Sequence, residues 1–329
     1  MNSKSLDSFL DMGVNVVRIP KGGGKFRSIY IPHNLRQKLL KRIAKEAVDA
    51  ILKLDCDHVH GFMPLRSPVT NALAHVGFEY SLSMDLQDFF DSVTIAMIDG
   101  VSRRYGIGWS FVSVQRMTHE GSLRQGFCSS PAVANLAAME MDRKIMEVMK
   151  GLGSRAVYTR YADDMVVSSD DPSMIGSMAV AIDAIARSES FAVNPRKTSI
   201  QMAKAGRRMI CGVAVDRDGI YCPRAIRRRL RSARHKVSVG SQRHVGQMVG
   251  LQEWSRLKAP YLGKAGREHA SALHHALVRE KYEQAMAIGF KADCLLGEEL
   301  AGRVRSRVVS SLNNQLENQR GKEEVVSEG

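Results

Sequence analysis

No stretch of this 329-residue sequence approaches the ~20 consecutive apolar residues that crossing a bilayer requires. The first residues, Met1 to Gly13, also lack the basic-then-apolar order of a secretory signal. Cysteine is scarce, odd in number and scattered: Cys56, Cys128, Cys211, Cys222 and Cys294, with no C-x-x-C. That spacing argues against a disulfide framework or zinc site and for reduced, buried thiols in a cytoplasmic protein. Cys56, His58 and His60 fall close together, but no second cluster completes a tetrahedral set, so the reading there is a structural loop. No long-period repeat is visible. The three glycines at 22–24 are not part of a G-x-x-x-x-G-K-S/T phosphate loop, and a hairpin turn with a basic rim fits them better. Acid is in short supply as well: 34 Asp and Glu stand against 48 Lys and Arg, a net charge of +14. An excess of that size favours a polyanionic partner, and without a membrane segment nucleic acid is the stronger branch.

What is present reads as an ordinary folded chain, 44% hydrophobic and 25% charged, with material for more than one lobe. Val14 to Pro20 is extended, Lys21 to Lys25 supplies a turn, and Phe26 to Ile31 alternates apolar with polar until Pro32. Leu35, Leu39, Ile43, Ala47 and Ile51 have helical spacing. Tyr80, Leu82 and Met84 alternate with serines, so a strand runs into Asp85. Ser129-Ser130-Pro131 predicts a helix start, with Ser130 as cap and Pro131 first in the helix, continuing through Val133, Leu136, Ala137, Met141, Ile145 and Val148. Val157 to Tyr161 and Met165 to Ser168 flank Ala162-Asp163-Asp164 as a hairpin. Met174 to Ile185 reads as a helix and Met209 to Val215 as a strand, and Asp218-Gly219 turns the chain into Ile220 to Cys222.

Beyond Pro223 the character changes. Residues 224–329 hold 20 Lys and Arg against 11 Asp and Glu, which is +9 of the +14. Ile226, Leu230, Ala233 and Val237 define one helical face, and Arg224, Arg227, Arg228, Arg231 and Arg234, with Arg229 and Lys236, crowd the rest. Seven bases without an acid are unlike a solvated surface helix, which mixes signs, so phosphate-backbone binding is expected. Asn313 to Gly329 is polar and expected to fray.

Three carboxylates need a joint explanation. Asp85 ends a strand, and Asp163 with Asp164 sits at a hairpin tip. Side by side, like charges repel unless something offsets the cost. Two Mg²⁺ ions roughly 3.5–4 Å apart would do so, activating a hydroxyl and stabilising a leaving pyrophosphate. Oxygen ligands without His or Cys suit Mg²⁺ rather than zinc. An Asp pair at a turn is weak evidence alone, because turns favour Asp for local hydrogen bonding.

Tyr161-Ala162-Asp163-Asp164 resembles the Y-x-D-D box of reverse transcriptases. Asp85-Leu86-Gln87-Asp88-Phe89-Phe90 resembles the first catalytic box, and Leu123-Arg124-Gln125-Gly126 with Ser129-Ser130-Pro131 the substrate-and-template box. Asn194-Pro195-Arg196-Lys197-Thr198 resembles the next box, and Met209 to Val215 falls where the primer grip belongs. The resemblance implies an α+β, right-hand polymerase: fingers with the N-terminal hairpin over 1–78, palm over 79–223 with a fingers insertion at about 91–122, a basic helical thumb over 224–315, and a polar tail over 316–329. It implies that Asp85, Asp163, Asp164 and the Leu86 carbonyl bind two Mg²⁺ ions, and that Phe90 selects dNTPs by excluding a 2′-hydroxyl. Phe89 and Phe90 are neighbours, of which one alone can face the site. Arg27 would contact triphosphate, with Lys21 and Lys25 as lesser candidates. Gln125 and Gly126 would lie against nucleotide and template, the glycine permitting close approach. Lys197 would neutralise or protonate pyrophosphate.

Among reverse transcriptases, the chain is similar to compact bacterial enzymes. About a hundred residues follow the primer-grip position, room for a thumb rather than for the RNase H domain or the maturase and endonuclease extensions of other types. Asn71-Ala72-Leu73-Ala74-His75 resembles the Asn-Ala-x-x-His element of retron enzymes, and His60-Gly61-Phe62 and Ser67 fit the same region. Retrons copy a structured noncoding RNA from one of its own 2′-hydroxyls into a branched RNA–DNA product and act in phage defence with an effector protein. That implies RNA contacts from Asn71, His75 and the arginines of 224–234, although a buried Asn–His pair bracing a loop suits the first two equally. Ile210-Cys211-Gly212 departs from the Val-Thr-Gly usual at the retron primer grip and removes a hydroxyl donor. Two alternatives stay open: another defence-associated reverse transcriptase with different priming, and a non-catalytic RNA-binding module.

Overall fold

In the computed structural model of the chain, residues 13–255 and 258–260 are described. The outer reaches of the expected thumb, the expected tail and Cys294 lie outside them. The chain divides into two compact units, Met1–Met63 with Tyr80–Ile200 and Pro64–Glu79 with Gln201–Gly329.

The first unit opens with a hairpin of β1 (Val14–Gly22) and β2 (Lys25–Pro32). Gly23 and Gly24 make its turn at φ 59° and 74°, the paired left-handed geometry of a two-residue hairpin loop. Helix α1 (Asn34–Leu52) follows and buries Leu40, Ile43, Ala47 and Ile51, the apolar stripe of its sequence. In the second unit, α2 (Pro68–Leu73) starts in a reciprocal capping box between Ser67 and Thr70.

Back in the first unit come β3 (Tyr80–Asp85), α3 (Phe89–Ser92), α4 (Ile95–Arg104) and α5 (Phe111–Met117). Then α6 (Ser130–Ala137) and α7 (Met139–Gly151) stand where one helix was expected. The break is at Ala138, which ends the first helix and begins the second. The cap differs too. Ser129 precedes the helix and Ser130 is already in it, because the Ser130 hydroxyl donates to the Arg124 carbonyl at 2.8 Å. Strands β4 (Ala156–Tyr161) and β5 (Asp164–Ser169) form a hairpin, and β3 pairs antiparallel with β5. Helix α8 (Pro172–Ser188) packs on β3 and β5 through Met174, Ile175, Met178 and Ile182. These strands and helices share one core with α1.

The chain passes into the second unit along β6 (Ser199–Met202). There β7 (Arg208–Ile210), β8 (Val213–Val215), β9 (Gly219–Tyr221) and β10 (Lys258–Pro260) form an antiparallel sheet, on which α2 packs. The strand expected over Met209 to Val215 is therefore a hairpin. Cys211 and Gly212, at φ 45° and 79°, turn the chain back after three residues. Helix α9 (Arg224–Ser238) buries Leu230 and Ala233 against Leu251 of α10 (Val245–Ser255). No helix among the described residues is long and apolar enough to cross a membrane.

Candidate active site

Strand pairing brings the three carboxylates together. Asp85 lies directly opposite Asp164 across the β3–β5 ladder, and Asp164 opposite Tyr161 across β4–β5. Residues directly opposite in an antiparallel pair share a face, with Cβ atoms roughly 4.5–5.5 Å apart. Asp163 occupies the intervening turn, and its carbonyl accepts from Leu86 N–H at 2.9 Å, so pairing continues past Asp85. Ala162, first in that turn, sits at φ 58°, a conformation glycine usually supplies.

Electrostatics record the crowding. Burial, then the charges of Asp163 and Asp85, push the Asp164 carboxyl up to about 6, against the pull of Lys197. Burial also raises Asp163, with Asp85 adding to it. Lys197 Nζ donates to Asp85 Oδ2 at 2.7 Å, and that hydrogen bond holds its ammonium above the ordinary lysine range. Its loop is anchored to the same strand end, since Asn194 N–H donates to the Asp85 carbonyl at 2.8 Å. Among the described residues no three His, Cys, Asp or Glu side chains are drawn into a closed metal site. The donor set at the hairpin nevertheless suits a hard divalent cation: it is all oxygen, and its raised carboxyls gain most from added positive charge.

A buried network that sequence reading did not anticipate braces the turn. Arg160 and Asp142 are fully buried and joined by hydrogen bonds of 2.7–3.0 Å. Tyr158 donates to Asp142 at 2.6 Å, and His58 Nε2 lies 3.3 Å from it. Burial, the largest single effect, would raise Asp142, but the charge of Arg160 together with the His58 and Arg160 hydrogen bonds outweighs it and holds the carboxyl well below its usual range. The remaining guanidinium nitrogen, Nη1, donates to Asn135 Oδ1 at 2.8 Å and to the Ala162 carbonyl at 3.2 Å, and Asn135 donates to the Gly61 carbonyl at 2.7 Å. Gly61 itself presses on the turn: a Cβ there would stand 2.2 Å from Ala162 N. The Cys56–His60 loop is thus part of this scaffold, with His60 N–H donating to the Arg160 carbonyl at 2.8 Å. Only a faint signal of this was available, a charged residue in β4 at an inward position.

The remaining candidates separate by exposure. Phe89 is buried and Phe90 half-buried, their rings 5.6 Å apart. Arg27 and Lys21 are exposed on the β1–β2 hairpin. Gln125 accepts from Tyr30 N–H at 2.8 Å, joining its loop to β2. Gly126 follows at φ 109°, and a Cβ there would meet the Tyr30 carbonyl at 2.4 Å. The close approach its missing side chain permits is that of β2. In the second unit Asn71 and His75 are fully buried: the Asn71 amide donates to Cys211 Sγ at 3.2 Å, and the His75 carbonyl accepts from Arg208. Burial, then the Arg208 charge, pushes the His75 ring down to about 3, so it stays neutral. Arg224, Arg227, Arg228, Arg231 and Arg234 are all exposed on α9.

Comparison with known proteins matches residues 19–263 to the family described as reverse transcriptase (RNA-dependent DNA polymerase). The chain is 30% identical over 265 residues to the retron Mx65 reverse transcriptase of Myxococcus xanthus, covering 74% of this chain and 60% of that protein. It is 28% identical to the retron Mx162 enzyme of the same organism, covering 75% and 58%. To the retron Ec86 reverse transcriptase of Escherichia coli it is 27% identical, covering 69% and 70%. The chain thus spans about three fifths of the length of the two Myxococcus relatives. Among solved structures, apo telomerase from Candida tropicalis is similar at TM-score 0.47 and 12% identity, covering 62% of this chain and 46% of that one. A foamy viral protease–reverse transcriptase in complex with double-stranded DNA gives 0.46 and 16%, covering 92% and 44%. The family match spans well over half of the 329 residues and contains the whole Asp85, Asp163 and Asp164 arrangement, and the chain belongs to the reverse transcriptase family.

Proposed function

We propose that this protein is an RNA-directed DNA polymerase of retron type, which copies a structured noncoding RNA into single-stranded DNA. The observation that carries it is the cross-strand placement of Asp85 opposite Asp164, with Asp163 in the adjoining turn. Asp85, Asp163, Asp164 and the Leu86 carbonyl would hold two Mg²⁺ ions, which would supply positive charge beside the priming hydroxyl and the leaving pyrophosphate. The hydroxyl oxygen gives up its proton to solvent and bonds to the α-phosphorus as the bond to pyrophosphate breaks, and Lys197 neutralises or protonates that leaving group. Arg27 contacts the triphosphate, Phe90 lies under the sugar and rejects a 2′-hydroxyl, and Gln125 with Gly126 borders nucleotide and template. In this reading fingers, palm and thumb divide at about residues 78 and 223.

The arginine face of α9 holds the RNA by its backbone, since RNA duplexes are recognised chiefly through shape and phosphates. The protein acts in the cytoplasm with an effector in phage defence, and its product is a branched RNA–DNA molecule. Cys211 at the β7–β8 turn, where retron enzymes carry threonine, favours one second reading: a related defence polymerase with different priming. Sequencing the nucleic acid that copurifies with the protein separates the two. A branched RNA–DNA species supports the retron reading; unbranched DNA with no linked RNA contradicts it.

A further inference from the structure

Phe62 is unusual in two independent respects. Its backbone is at φ 58°, where a bulky residue is an outlier, and the residue is 46% exposed between the buried Gly61 and Met63. A plain turn at this φ is served by glycine or asparagine, and a core role would hide the ring. The segment carrying it is also fastened on both sides. Asn135 holds the Gly61 carbonyl, Gly61 abuts Ala162, and His60 pairs with Arg160. Fastening fixes where the ring goes, which is beside Phe90, with centroids 6.1 Å apart and planes at 42°. Phe90 rests in turn on Phe89, and Phe89 on Phe191 at 5.9 Å. The aromatic row runs outward from the core and ends, exposed, on Phe62.

We propose that Phe62 is a specificity-determining residue that contacts the incoming deoxynucleotide, its ring extending the Phe90 surface against sugar and base. An exposed aromatic face suits a nucleotide because every base and the carbon face of deoxyribose can pack on it. By flanking Phe90, the ring also holds it where a 2′-hydroxyl would clash. This rests on the reading of Phe90 as the sugar-discriminating residue.

The test compares dTTP with UTP incorporation on an oligo(dT)-primed poly(A) template for wild type, Phe62→Gly, Phe62→Leu and Phe90→Val. Glycine relieves the backbone and removes the ring, so a turn role alone predicts an unchanged or higher Tm with unchanged kinetics. The proposal predicts that Tm is kept while KM for dTTP rises roughly tenfold and the preference over UTP falls, with leucine intermediate. Wild-type KM and preference in Phe62→Gly, alongside a relaxed preference in Phe90→Val, overturn this proposal alone. Unchanged preference in Phe90→Val, or incorporation of neither nucleotide by wild type, overturns the underlying reading and this proposal with it.

Discussion

At the scale of single residues, the site is costly to keep. Asp164 is partly buried beside two other carboxylates, and its carboxyl rises to about 6. A carboxyl raised in the folded state is penalised when it ionises, so its destabilising effect is absent below the unfolded value near 4 and complete above about 6. Asp164→Asn is therefore expected to stabilise the protein in chelator at pH 7.5, by about 1–2 kcal/mol once solvent screening is allowed for. The gain should vanish near pH 4. Denaturant unfolding at the two pH values checks this, and a variant no more stable than wild type at pH 7.5 would refute the crowding. Asp142 shows the opposite arrangement, a carboxylate held ionised by Arg160 at full burial. Its partner lies 18 residues away in sequence, which is why that pairing was invisible while the adjacent Asp163 and Asp164 were not.

Elements were legible where local chemistry alone decided them. The strand ending at Asp85, the hairpin around Ala162-Asp163 and the arginine-rich helix all follow from alternation, turn residues or helical spacing. Reading failed where a tertiary partner intervened. Ser130 gave its hydroxyl to Arg124, and Met209 to Val215 folded back at Cys211-Gly212 although its apolar run continued. The contact of the His58–Phe62 loop with the Ala162–Asp163 turn belongs to this second kind, because glycine announces permissiveness without saying what approaches. Gly61→Ala tests it. With 2.2 Å between the added methyl carbon and Ala162 N, loop and turn must separate, and a displacement of about 1 Å can lower kcat roughly a hundredfold. Wild-type kcat with an unchanged Tm would show that the turn does not depend on this contact.

At the scale of the whole molecule, charge is distributed by task. Acid gathers where strand β3 ends and β5 begins, while α9 exposes seven bases, none of them ion-paired among the described residues. Replacing Arg227, Arg228 and Arg231 with alanine should weaken RNA binding and lower the slope of log affinity against log salt by up to about 2–3, since each phosphate contact contributes roughly 0.7–0.9. An unchanged slope in filter-binding titrations would remove α9 from the RNA interface. The central claim joins these scales: carboxylates brought together by strand pairing perform RNA-templated DNA synthesis. The most direct measurement supplies purified protein with its native RNA, Mg²⁺ and labelled dNTPs, beside Asp163→Asn at equal RNA occupancy. Labelled DNA from wild type and none from the variant is the predicted result. No DNA from wild type across a range of Mg²⁺ concentrations, or undiminished synthesis by Asp163→Asn, would contradict it.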